Sequence, residues 1–325
     1  MSDPITIMND LGPRIEGRLT RELIDIFTQL QNRFSADQIA RVYSLEGIEG
    51  VINLLSLMED TIEGSLANRL DRVLSEAAIA SLALVPVESI VGDRRIWFDP
   101  IGELFSTEIS RYRLDLAREI AGNTRIAIRN ALDEGVLAGL NPTRQASVFR
   151  DSLNLTPKLQ KALFNFRRGL TEGDSAELRE LLRRRLRDRR FDSTIRRLIE
   201  EGTPIPADKI DDMVNAYKRK ALRFRAETIA KTESLTAISL AQHHVFEQNI
   251  ARGIINPDFL RGFWIFTKDE LTRAHHREIP NLNPDGIRWG ETFITPFGPM
   301  RFPRDPEGSA ENRINCRCRV AWRIQ

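Results

Sequence analysis

Cysteine is almost absent from this chain, and so is any long apolar stretch. Two cysteines stand among 325 residues, together as Cys316-Arg317-Cys318. Side chains two positions apart on extended backbone leave in parallel and do not easily close on each other, which excludes a disulfide framework of the secreted kind. The best apolar run, Ala77 to Val87, meets Glu88 well short of the roughly 18–20 residues of a membrane span. The first residues carry Asp3, Pro4 and Asp10 without a basic start or an apolar core, so no secretory signal is expected and a cytosol-like compartment is. Walker-type loops, Gly-rich dinucleotide loops, HExxH and GxSxG are missing too, which leaves no familiar motif of nucleotide or acyl-transfer chemistry.

What the chain does have is charge and helical periodicity. Charged residues make up 29% and hydrophobic ones 41%, a globular composition long enough for about two domains. The net charge of +2 conceals a local bias, because Lys158 to Arg225 holds 19 basic against 11 acidic residues. Its densest part is Arg183, Arg184, Arg185, Arg187, Arg189 and Arg190, read as the end of a helix from Ser175. Such a run can bind nucleic-acid phosphates without sequence preference. Alternatively it is a solvated face compensated by Glu177, Glu180 and Asp188.

Apolar residues recur at helical spacing from Arg18 to Phe34, Val51 to Leu84 and Ile101 to Leu137, with Gly139-Leu140-Asn141-Pro142 as a stop. Further helices are expected from Thr156 to Leu170, Asp192 to Glu201 and Asp208 to Ile250, the last as one or two. His243-His244 on it reads most simply as a surface feature, with the alternative that it reaches a metal if the helix packs on the last domain. After Gly253 prolines cluster and helical periodicity fades. Short strands are expected at Phe263–Phe266, Glu291–Ile294 and Arg317–Ile324. The fold class is therefore mainly α, with an extended helical N-terminal region and a small α+β C-terminal domain. The divisions are 1–140, a basic helical 141–253 and 254–325.

The C-terminal block carries the chemistry. Cys316 and Cys318, with His276 and His275, form a set that could hold zinc, which would help a domain of about 70 residues with a small core. Cys-x-Cys is not the usual knuckle spacing, and the alternative is a packed strand face with His276 bonded to Asp269 or Asp305.

The order of motifs adds a resemblance. Arg225-Ala226-Glu227-Thr228-Ile229-Ala230-Lys231-Thr232-Glu233 is followed by Trp264, then Asp269, Arg273 and His276, then Asp305-Pro306, then Asn315-Cys316-Arg317-Cys318. This resembles the phage Mu F-like minor head (head morphogenesis) proteins over about residues 208–320. It departs from them after His276, where the nearest glycine is Gly286. The resemblance implies a non-enzymatic virion component inside the capsid at the portal vertex, made in the host cytoplasm. It would support capsid assembly and DNA packaging or delivery. The implied partners are the portal protein, scaffold or major capsid protein and double-stranded DNA, with no membrane. The rival readings are a metal-dependent hydrolase or toxin-like enzyme carried in the head, and a DNA-binding structural protein without portal contact. Only seven residues follow Cys318, so an appended toxin domain is not expected.

Overall fold

The computed structural model describes residues 4–33, 35, 37–47, 49–51, 53, 54, 64, 79, 95–97, 99, 103–137, 139 and 148–324, some of them as backbone only. The helix expected from Val51 to Leu84 falls mostly outside them. Long helices dominate, as the periodicity implies. Helix α1 (Pro4–Asn32) buries Ile15, Leu19, Leu23, Ile26, Phe27 and Leu30, one stripe at three- and four-residue spacing. Helix α2 (Glu103–Leu137) does the same with Tyr112, Leu116, Ile120, Ala127, Ala131 and Leu132.

Shorter helices follow, each with a visible start signal. Helix α3 (Pro157–Glu172) begins with proline at its first position, and the Thr156 hydroxyl accepts from the Leu159 amide. In α4 (Ser175–Arg183), Asp174 accepts from the amides of Ala176 and Glu177. The arginine-rich end expected to continue this helix to Arg190 does not do so. Asp188 instead caps a short 3-10 turn, Arg189–Phe191, and Arg187 folds back onto the Arg184 carbonyl. Side chains that bond nearby backbone in this way compete with helix propagation. Helix α5 (Asp192–Glu201) ends at Gly202, whose φ of 67° is the left-handed cap that glycine provides without strain. Helix α6 (Ala207–Ala251) is a single helix of 45 residues.

The C-terminal region is a small antiparallel sheet dressed with short helices. Strand β1 (Leu260–Ile265) is central, flanked by β2 (Ile287–Arg288) and β3 (Arg319–Ile324). Leu260, Gly262 and Trp264 of β1 face inward. Gly262 lies opposite Trp322, and a Cβ there would come within 2.9 Å of the indole, so that ring needs the glycine. Helices α7 (Ala274–Leu282) and α8 (Ala310–Arg313) complete the region. The strand expected at Glu291–Ile294 is reduced to one bridge between Phe293 and Met300, because the chain turns back at once through Thr295–Gly298.

The chain divides into two compact units: Met1–Glu22, Ala67–Leu114 and Glu227–Gln325 in the first, Leu23–Leu66 and Asp115–Ala226 in the second. Within the first, Asn249 clamps the backbone of Trp97 by accepting from its amide (2.8 Å) and donating to its carbonyl (2.6 Å). Gln248 does the same for Asp99, at 2.8 and 3.1 Å. No helix among the described residues is long and apolar enough to cross a membrane.

Candidate metal centre

The loop after β1 organises the site. Asp269 accepts from the amides of Leu271 and Thr272, which turns the chain toward α7, and its carboxylate pairs with Arg317 at 2.6 Å. The Arg317 guanidinium holds that carboxyl below its usual range. Four residues on, Arg273 donates to the carbonyls of Glu311 and Ile314. Two segments of the C-terminal region are thus bolted together, with the start of α7 fixed against the segment leading to Cys316. His276 lies in the first turn of α7 and is buried against the edge of Trp264, with ring centroids 6.1 Å apart.

The cysteines arrive from the other side. Asn315, at a φ of 56°, turns the chain out of α8, and its amide donates to the Thr232 hydroxyl on α6. Cys316 and Cys318 then point to one side, just before β3. His276 Nδ1 stands 3.3 Å from Cys318 Sγ and 3.5 Å from Cys316 Sγ, and all three donor atoms lie within 4.8 Å of one another. Exposure is 2% for His276, 1% for Cys316 and 2% for Cys318. Nitrogen and sulfur donors on a tetrahedral zinc are roughly 3.6 Å apart, so the set already has about the spacing an ion would impose.

Arg304 supports this cluster and was not singled out from the sequence. It is fully buried at a φ of 68°, and it donates to the carbonyls of Cys316 (3.2 Å) and Cys318 and to the Ser239 hydroxyl (2.6 Å). Its guanidinium is 4.0 Å from Cys316 Sγ. A hydrogen bond from the Cys318 thiol, aided by His276 and Arg304, pulls the Cys316 thiol well below its usual range although burial opposes this. The same hydrogen bond, with burial, pushes Cys318 up.

The other residues of the block have structural partners. Asp305 is taken by Arg301, which donates from Nε (2.9 Å), a terminal nitrogen (2.8 Å) and its own amide (2.9 Å). The carboxylates considered as partners for His276 are thus engaged elsewhere. His275 is not part of the three-donor set. Its ring lies edge-on to Phe297 at 4.9 Å, and burial lowers its pKa. Glu233 is buried on α6, where burial lifts its carboxyl to about 7 against the nearby charge of Arg313. Arg225 reaches the Ile120 carbonyl and the Thr124 hydroxyl of α2.

The histidine pair on α6 is not a surface feature. His244 is buried between two carboxylates, Glu108 at 2.5 Å and Glu247 at 2.9 Å, and Arg301 reaches Glu108 at 3.2 Å. Burial works against its charged form, but the two carboxylates outweigh it and raise the pKa to about 9. His243 stacks on Trp289, with centroids 4.8 Å apart, and burial lowers its pKa to about 4. The neighbouring rings shift in opposite directions because His244 hydrogen-bonds both carboxylates, whereas His243 feels them only as charges that burial, Arg301 and His244 outweigh.

The basic run is largely occupied by its own neighbours. Arg183 pairs with Glu180 at 2.5 Å, Arg187 with Asp192 at 2.9 Å and Arg190 with Asp188 at 2.7 Å. Arg184 donates to the Ala162 carbonyl, and Arg185 lies over the Phe224 ring at 5.4 Å. The compensating role of Glu180 and Asp188 is what the sequence suggested. Arg189 lies in the exposed 3-10 turn.

No protein-family model matches the chain, and neither a curated protein nor a solved structure matches it.

Proposed function

We propose that this chain is a minor capsid protein of a phage head, seated inside at the portal vertex, where it supports head assembly and DNA packaging or delivery. One observation carries the reading. Several residues of the Mu F-like motifs, Thr232, Asp269, Arg273 and Asn315 to Arg317, are linked to one another or to the neighbouring backbone, whereas Arg225 bonds α2 and Asp305 bonds Arg301. Asp269 grips Arg317, Arg273 grips the carbonyls before Asn315, and Thr232 receives the Asn315 amide. A set of motifs that serve to lock a small domain fits a protein that works through surfaces. It fits an enzyme less well, since a catalytic reading needs a base and a substrate in reach.

His276, Cys316 and Cys318 are the residues that would hold a metal, and zinc is the ion expected from the sequence. Bound there, an ion would cross-link α7 to the approach of β3 and add its binding free energy to a small core. The reading is tested by isolating procapsids and asking whether the chain co-purifies with the portal before and after nuclease treatment. A nuclease-resistant complex is expected. Loss of the complex after nuclease would mean bridging by DNA, and the portal reading would fall.

A further inference from the structure

The surroundings of the three donors discriminate between ions. This inference rests on the metal-centre reading above and concerns which cation the centre takes. We infer that the site is a three-coordinate pocket for a soft monovalent cation of the Cu(I) class, and that Arg304 is its built-in counter-ion.

Coordination number is the first argument. Structural zinc sites are almost always four-coordinate. Here only His276, Cys316 and Cys318 come together among the described residues. Asp269 and Asp305 are paired with Arg317 and Arg301, and His275 packs on Phe297. At 1–2% exposure the three ligands leave solvent little access to supply a fourth. Two thiolates and an imidazole are a complete shell for a three-coordinate cuprous ion, and thiolates are the ligands that select it.

Charge is the second argument. Ligation requires both cysteines as thiolates. With a divalent ion the complex is neutral, and the guanidinium of Arg304 then remains as a lone positive charge in a closed interior. Its oxygen partners are two carbonyls and a hydroxyl, none of them anionic, and its sulfur partner, Cys316 Sγ, already spends its charge on the divalent ion. With a monovalent ion the bis-thiolate complex carries one negative charge, and Arg304, 4.0 Å from Cys316 Sγ, cancels it. Isolated buried charges are strongly disfavoured, whereas compensated ones are tolerated. The Trp264 indole N–H, buried without an oxygen acceptor, lies against Cys318 and suits a sulfur that bears negative charge.

The test uses the full chain under anaerobic, reducing conditions. Cu(I) is titrated in competition with bicinchoninate, Zn(II) in competition with a zinc-responsive dye, and the loaded protein is examined by X-ray absorption. The expected result is one Cu(I) per chain with two sulfur neighbours and one nitrogen, and displacement of any bound zinc by one equivalent of Cu(I). Retention of four-coordinate zinc against stoichiometric Cu(I) overturns the inference and leaves the metal centre standing. Failure to bind either ion overturns both. The charge argument has its own readout in Arg304→Met, which should shift the Cu(I):Zn(II) preference toward zinc by roughly 10- to 100-fold. Equal weakening for both ions would make Arg304 merely structural and remove it as counter-ion. If that variant does not fold, the wild-type competition still decides the ion.

Discussion

Arg225 and Arg304 are both buried, at 4% and 0% exposure, one in each unit of the chain, and they are treated differently. Arg225 lies in an all-helical setting over the Phe27 ring, donating to α2, with the charge of Glu119 in its field. Burial lowers its pKa to about 10, and Glu119 offsets part of that loss. Arg304 has two sulfurs in its field instead. A buried cation near a carboxylate is a packing solution that is complete in itself. A buried cation beside two cysteines and a histidine is complete only when those sulfurs carry charge. The first arginine is explained by its helix pair, and the second points to a cation that draws both thiolates.

The comparison can be broken by truncating each arginine to methionine. Arg304→Met should cost about 3–5 kcal/mol, because the buried Cys316 sulfur and two buried carbonyls lose the guanidinium that faces them. Arg225→Met should cost about 1–3 kcal/mol, the loss of two charge-assisted hydrogen bonds to an Ile120 carbonyl and a Thr124 hydroxyl that still bond each other. Urea unfolding of the full chain measures both, and equal losses would show that the cysteines add nothing to the value of Arg304.

A smaller effect sits at His244, where the sign can be worked out. Its pKa is about 9 in the fold against an ordinary 6.5, so its stabilisation is complete below 6.5 and fades as pH rises through 9. For Glu108, burial raises the pKa but His244 and Arg301 outweigh it and bring it to about 2 from 4.5; that stabilisation fades as pH falls below 4.5. His244→Gln should therefore destabilise most near pH 5.5, on the order of 2–3 kcal/mol, and much less at pH ~9.5. A gap that is the same at both pH values would mean that the charges at this latch are irrelevant.

The smallest expected effect concerns the surface of the other unit. Arg183→Glu with Arg189→Glu should change stability by no more than about 0.5 kcal/mol, because the one pair it breaks is exposed. Retention on duplex DNA at low salt should nevertheless fall. Unchanged retention would remove nucleic acid as a partner of this face.

The helices were legible because burial follows period, and Leu19, Leu23 and Phe27 announce a stripe before any coordinates exist. The fold class followed from that, with a short sheet where proline and aromatics gather. The end of α4 was not legible. Arg184 to Arg190 contain good helix formers, and the helix stops because Asp188 caps another turn and Arg187 reaches Asp192. At the site, His276, Cys316 and Cys318 were found by residue type alone. Arg304 escaped because an arginine in a proline-flanked turn gives no sign of burial, although Arg304-Asp305-Pro306 stood in plain view. His244 escaped for a related reason, since its partner Glu108 lies 136 positions away.

The amide clamp of Gln248 and Asn249 reads only main chain, so it places almost no demand on the letters of the segment it holds. The grip on Trp97 and Asp99 runs through their backbone groups, and the Trp97 ring adds a contact of its own under the Arg252 guanidinium at 3.2 Å. Two amides on one helix thereby store the position of a distant strap in a form that the strap's own sequence does not carry.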